Sequence, residues 1–373
     1  MPRYKYFLTA IFTSLHLIPA MQSNAQAKPT IQKTGPAYLV TTNPGTGILY
    51  VAQEKNQNSF TCYLQLHDAA TATLLKKQLL FSGQEPANHE KIIGSLKNTI
   101  WILGDSLVAY DMITLKPVIT EAAIIENNTF MANNFASYPN AYLMDEGAQV
   151  LFITAANGNA YRLYPANMQL QEDAGINDPA PEEFLYEFAA EYKVNNHYAL
   201  KYALSNVDTI ANKLYILGSD KEVGQVARYY GAAIDAGNPE ARRITIMPID
   251  KTANGLDKKQ SPVTKKNAYQ AGGFLNNKFG ATAWHGQQGE RIIIHQQKRG
   301  SHSKMAVTLI DKEGNETWNI VTGTGPDFFT DYLINDEYLV LFHNASPAIG
   351  AGFTSITLKN GKSVLHIYHT ISE

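Results

Sequence analysis

The feature that most narrows what this chain can fold into is a unit that recurs from Ala37 to the C-terminus. Each copy runs through a strand, a short polar turn and a strongly apolar strand. A loop, a third strand and an acidic or Asn/Gly turn into a fourth strand complete it. The clearest copies are KIIGSLKNTIWILGDSLVAYDMITLKPVIT, from Lys91 to Thr120, and YLINDEYLVLFHNASPAIGAGFTSITLKNGKSVLHIY, from Tyr332 to Tyr368. One such sheet cannot bury its own apolar faces, so copies must stack, and blades closed in a ring make an all-β propeller.

Six hairpins align, each with a more apolar return strand, beginning near Ile48, Thr99, Gln149, Lys213, Arg291 and Glu337. The shorter steps are about 50 residues, the length of a four-stranded antiparallel blade with its loops. Two steps are longer. The one from Gln149 to Lys213 contains DPAPEEFLYEFAAEYK, which predicts one short inserted helix. Asp178 caps it, Pro179 fits its first turn, and Phe184, Leu185, Phe188, Ala189 and Tyr192 share a face. The step from Lys213 to Arg291 includes ARRITIMPID and has room for a degenerate extra blade, so six blades are expected, or seven. In the second half of each unit, Asp68, Asp111 and Asp311 are expected to accept hydrogen bonds from turn N–H groups, and Gly314 and Gly361 to supply positive φ. That structural duty makes these acids poor catalytic candidates.

The segments DAATATLLKK, DMITLKPV, DKEGNETW and KNGKSVLHIY follow, loosely, a pattern of strand, Asp-x-x-Thr-Gly-x, and strand with Trp. In this the chain resembles the quinoprotein-like (PQQ-like repeat) propeller superfamily over most of its length, although the repeat Gly and Trp are mostly replaced. The resemblance implies the propeller fold. Its cofactor-using members carry adjacent cysteines and a calcium site, which the single Cys62 cannot reproduce, so no cofactor is expected. Other members are non-enzymatic scaffolds, for example in outer-membrane protein assembly, and are commonly lipid-anchored.

The first residues read as an export signal: Arg3 and Lys5, an apolar run from Phe7 to Met21, then Ala25-Gln26-Ala27 as a cleavage site. The expected organisation is a signal peptide over 1–27, a linker over 28–36 and a single propeller domain over 37–373. No cysteine follows the apolar run and no later segment is long enough to span a bilayer, so a periplasmic or secreted protein is expected. The formal net charge of −2 argues against nucleic acid or an anionic membrane as partner. The one basic cluster, Lys251 to Lys266, sits among Gly, Ser and Pro and reads as a solvated loop. Cys62 lies in a strand pattern, FTCYLQLH, where a buried thiol is the ordinary state.

No phosphate-binding glycine loop and no Gly-x-Ser-x-Gly elbow occurs. His366 and His369 point to opposite faces of a predicted strand, and His295 and His302 flank a loop, so no metal site is expected. Trp284-His285-Gly286 is expected at the end of an outgoing strand, with the Trp packed. Topology offers more. Turns between strands one and two and between three and four share one end of the stack, and they are short. Connections between blades share the other end, and they are long. The long connections carry Phe135, Tyr138, His197, Tyr198, Tyr269, Asp327, Phe328, Phe329 and Asp331. Long loops on a rigid scaffold are where binding resides. The expected function is therefore a non-catalytic binding or scaffold propeller for a protein, peptide or glycan of the cell envelope. The alternative is an envelope hydrolase or lyase assembled from several blades at the channel mouth.

Overall fold

In the computed structural model, the described residues are 30–55, 59–83, 91–173, 204–211, 213–229, 242–250, 255–256, 263–277, 282–298, 303–325, 328–346 and 349–368. Their strands form six antiparallel sheets. The first sheet is β1 (Thr30–Thr42), β2 (Gly45–Lys55), β3 (Phe60–Asp68) and β4 (Leu74–Gly83), in that order. The second is β5 (Lys91–Leu96), β6 (Thr99–Leu103), β7 (Leu107–Asp111) and β8 (Pro117–Thr120). The third is β9 (Tyr142–Asp145), β10 (Val150–Thr154), β11 (Ala160–Tyr164) and β12 (Gln169–Glu172). A two-residue strand, β13 (Leu204–Ser205), then pairs with the fifth sheet. The fourth sheet holds β14 (Val207–Ile210), β15 (Lys213–Gly218) and β16 (Arg243–Asp250), with β17 (Gly255–Leu256) and β18 (Val263–Ala268) both paired to β16. The fifth continues with β19 (Gln270–Leu275), β20 (Arg291–Gln296), β21 (Met305–Ile310) and β22 (Glu316–Val321). The sixth is β23 (Phe329–Ile334), β24 (Tyr338–His343), β25 (Gly352–Thr357) and β26 (Ser363–Ile367).

The apolar return strands of the sequence are the second strands of these sheets, and all but β10, where Phe152 and Thr154 are half-buried, are buried on both faces over most of their length. From Thr46 to Ala52 every residue of β2 is buried, as is every residue of β20 from Arg291 to His295. The reason lies in the packing: each core sits between two successive sheets rather than within one. Leu49, Leu64 and Cys62 meet Ile100 and Ile102 between the first and second sheets. Trp101 and Leu107 meet Leu151 and Leu163 between the second and third. Tyr215 and Ile244 meet Phe274 and Ile293 between the fourth and fifth, and Ile292 and Leu309 meet Phe329 and Leu341 between the fifth and sixth. A final core joins the sixth sheet to the first, where Phe342 and Phe353 pack edge-on to Tyr50.

Repetition extends to the turns. In four sheets the third strand ends on a residue whose carbonyl accepts the N–H of the residue four positions on: Asp68 from Ala72, Asp111 from Leu115, Tyr164 from Met168 and Thr357 from Gly361. That fourth residue has positive φ each time: 58°, 59°, 56° and 68°. The predicted acids do the expected work. Asp68 Oδ1 accepts from the Thr71 N–H, Asp111 Oδ1 from Ile113 and Thr114, and Asp311 Oδ1 from Glu313 and Asn315. Gly314 and Gly361 hold φ of 80° and 68° as anticipated.

Three expectations change. The first strand begins at Thr30, so residues 30–36, read as linker, pair with β2 through a bulge between Thr34 and Ala37. The outgoing strand of the fifth sheet is β19, not the segment at Trp284: the chain makes an excursion after Leu275 and returns through a bridge between Asn276 and Ala283. Trp284 is buried, as anticipated. The extra length after Lys213 carries a helix, α2 (Asp220–Tyr229), entered by a capping box in which Ser219 and Glu222 bond reciprocally. The described strands there join the fourth and fifth sheets. An earlier helix, α1 (Glu121–Asn127), follows β8 directly. The helix expected from Asp178 to Tyr192 lies outside the described residues.

Cys62 is buried and unbridged. Burial depresses the proton affinity of three core histidines, His67, His295 and His343, each partly offset by a bond to a backbone carbonyl. The unfolded chain therefore takes up these protons first as pH falls, and stability drops below about pH 6.5, by at most about 1.4 kcal/mol per unit for each group. Urea unfolding at pH 7.5 and 5.5 is expected to show that loss, and His67→Gln to lessen it. A flat profile would contradict the assignment.

Candidate functional site

The two ends of the sheet stack differ in build. At one end the short turns meet: the Ala69 N–H donates to Thr46 O, Met112 to Asn98 O and Leu358 to Glu337 O, the same bond in three sheets. At the other end the described connections from the second sheet to the third and from the fifth to the sixth run alongside the turns between second and third strands. The Ala156 N–H, in the β10–β11 turn, donates to Asn134 O in the connection from the second sheet to the third.

That connection, residues 121–141, is well tied. Thr120 Oγ1 caps α1 by accepting from the Ala123 N–H, and two short 3₁₀ turns follow at Thr129–Met131 and Pro139–Ala141. Asn128 is buried where α1 ends and the first of these turns begins. Its Nδ2 donates to Ile124 O and Met168 O, and its Oδ1 accepts from the Leu170 N–H. Ile124, Met131 and Ala136 anchor the segment in the core between the two sheets. What remains outside includes two large aromatics, Phe130 and Tyr138, each 52% exposed. The Phe130 ring lies 5.4 Å from that of Tyr161.

The expected binding residues scatter. Tyr138 is exposed, whereas Phe135 packs partly buried against the core. Phe328 is half-buried, and Phe329 is fully buried between the fifth and sixth sheets. Tyr269 is buried against His295. Asp331 pairs with Lys33 at 3.0 Å, joining the first strands of the first and sixth sheets, with both side chains about nine-tenths buried (11% and 10% exposed). His197, Tyr198 and Asp327 lie outside the described residues, as do His302 and His369. His366 stacks on Phe353 and meets His67 edge-on in the core that joins the last sheet to the first.

The sequence reading missed a charged constellation at the short-turn end. Asp208, on β14, accepts from Arg291 Nε at 2.5 Å, and both its oxygens lie 2.9 Å from His285 Nε2. Arg291 is wholly buried, its guanidinium 3.8 Å above the Tyr215 ring, and its Nη1 donates to Gly289 O. Nη2 has no hydrogen-bond partner among the described residues. Asp208 is 6% exposed and His285 is 37% exposed. The carboxylate thus faces a buried cation on one side and a solvent-facing imidazole on the other. This holds the His285 ring by Nε2 while more than a third of its side chain stays open to solvent. It also ties the fourth sheet to the fifth. Among the described residues, no three His, Cys, Asp or Glu side chains form a metal-binding group.

No protein-family model and no curated protein matches the sequence. Among solved structures, a member of the DUF4221 family from Bacteroides vulgatus aligns at 7% identity and TM-score 0.27, covering 84% of this chain and 88% of its own. An oligogalacturonate lyase in complex with manganese aligns at 9% identity and TM-score 0.24, covering 93% and 87%. A protein from Lactobacillus plantarum does so at 11% and 0.24, covering 90% and 84%. Superposition this loose transfers neither fold nor activity. Among the described residues, no helix is long and apolar enough to cross a membrane.

The Asp208–Arg291 pair is open to a direct check. Asp208→Ala leaves a buried guanidinium without its counter-ion and is expected to cost about 3–5 kcal/mol in chemical unfolding. His285→Ala, at an exposed partner, is expected to cost about 1 kcal/mol or less. Equal losses would mean that His285, not Arg291, holds the junction.

Proposed function

We propose that the six sheets are the blades of a closed six-bladed propeller of the quinoprotein-like kind, and that this is an exported, non-catalytic binding or scaffold protein. Closure is supported by first-strand packing: β23 against β1, β1 against β5, and β5 against β9. It is supported too by the core that ties the last sheet to the first. The working surface is the long-connection end, and its ligand is a protein, peptide or glycan of the cell envelope. One observation carries this reading: the 121–141 connection is fixed by a helix cap and a buried asparagine, yet leaves Phe130 and Tyr138 half in water. An ordered segment that exposes large aromatics has paid the ordering entropy of a binding surface in advance.

Thermal unfolding of residues Lys28 to Glu373 against a panel of soluble glycans and envelope peptides tests it. A ligand at 100 times its Kd adds about 2.7 kcal/mol. The shift is expected to vanish in a Phe130→Ala/Tyr138→Ala double variant and to persist in Gln287→Ala, at the opposite end. The reverse pattern would move the binding surface to the short-turn end.

A second reading has one observation in its favour. The carboxylate-held, solvent-facing His285 is suited to a general base, as an envelope hydrolase or lyase would require. Turnover of a panel glycan or peptide that is lost in His285→Ala, with the fold intact, would put the enzyme first.

A further inference from the structure

The long-connection surface has a chemistry of its own, and it narrows the ligand class. Resting on the binding role proposed above, we infer that the Phe130–Tyr138 surface recognises an uncharged oligosaccharide rather than a peptide. Three observations converge. The first is the pair of half-exposed aromatic faces, with Phe130 backed by Tyr161. A pyranose ring presents a face of C–H groups that packs on an aromatic ring, which can stay rigid because it has few torsions to lose.

The second is the supply of exposed amides on the same connection and on the turn bonded to it. Asn127, Asn133 and Asn140 are exposed on the same connection, and Asn157 and Asn159 are exposed on the β10–β11 turn bonded to it. An amide offers a donor pair and an acceptor together, which matches the mixed donor and acceptor character of a sugar hydroxyl. One of them, Asn127, is already aimed by the backbone, its Nδ2 held by Ala123 O, and the half-buried Asn134 Nδ2 is likewise held by the carbonyl of Phe130. Oriented amides need less ordering on binding.

The third is charge. Between Lys116 and Arg162 the chain has no Lys or Arg, and its ionisable side chains there are acidic, apart from tyrosine. A peptide carboxylate or a uronic-acid polymer would meet no cation from this stretch, so the chemistry selects against anionic ligands. Exposed aromatic side chains and neutral amides on a stretch that itself carries no Lys or Arg fit a neutral glycan.

Calorimetric titration of Lys28–Glu373 with cello-, malto- and chito-hexaose tests this, with oligogalacturonate and a Leu/Glu-rich peptide as controls. At least one neutral hexaose is expected to bind, with affinity falling at least tenfold in Phe130→Ala or Tyr138→Ala and unchanged in Gln287→Ala. A conservative Tyr138→Phe should keep most of the affinity, separating lost stacking from lost folding. Peptide or oligogalacturonate binding that depends on Phe130 would overturn the neutral-glycan inference while leaving the binding surface in place. Neutral-glycan binding that depends on Gln287 and ignores Phe130 would overturn both. No heat with any of the three hexaoses would overturn the glycan assignment alone.

Discussion

Each sheet in this protein buries apolar side chains against a neighbouring sheet, and four of the six do so on both faces. Everything else follows from that requirement. A four-stranded sheet standing alone would leave Tyr50, Ile100, Leu151 or Ile292 in water, at about 1.5–3 kcal/mol for each such side chain. Stacking sheet on sheet removes that cost at five described junctions, whose cores run from the fourth sheet through the fifth, sixth, first and second to the third. The junction of sixth and first is decisive, because it brings the two ends of the chain's strand order together. Tyr50 there is enclosed by Phe342, Phe353 and Tyr368, and its hydroxyl shares Gln65 and His67 as partners. A buried polar network of this kind is satisfied in one register only.

Stacking also divides the labour between the two ends. Short turns, braced by Asp68, Asp111 and Asp311, leave little surface free to vary, and the ion pair of Asp208 with Arg291 is sunk among them. The described connection over 121–141 is anchored from within, by Asn128 above all, and leaves Phe130 and Tyr138 exposed. Rigidity at one end and display at the other are consequences of one strand order.

Much of this architecture was legible in the residues. The return strands read as beginning at Thr99, Lys213 and Arg291 begin there, because a strand buried on both faces is continuously apolar and announces itself without periodicity. Turn acids were legible for a local reason, since Asp bonds N–H groups two to four residues away. The positive φ at Ala72, Leu115 and Met168 was not, because no glycine marks it. Nor was the outgoing strand of the fifth sheet: QAGGFL has two glycines and little alternation, while TAWHG beside it looks more strand-like. The site was less legible than the fold. Of the nine residues singled out on the long connections, Tyr138 is exposed and Phe329 is core, because an aromatic in a loop gives no sign of which way it turns. Asp208, His285 and Arg291 lie far apart in sequence and share no motif; only the packing of the fourth sheet on the fifth brings them together. The Ser219–Glu222 capping box and the Thr120 cap followed by Glu121 were helix signals present in the letters and passed over.

The central claim, that these sheets close into a ring, turns on the third and fourth sheets. Leu143 on β9 and Val207 on β14 are exposed positions on their first strands, suited to spin labels in a Cys62→Ala background. Pulsed electron resonance would compare the Leu143–Val207 distance with that between Leu143 and Ile93 on β5, whose strands are neighbours. Closure predicts two similar, short distances. A Leu143–Val207 separation several times the other would mean an open stack, and the propeller account would fail.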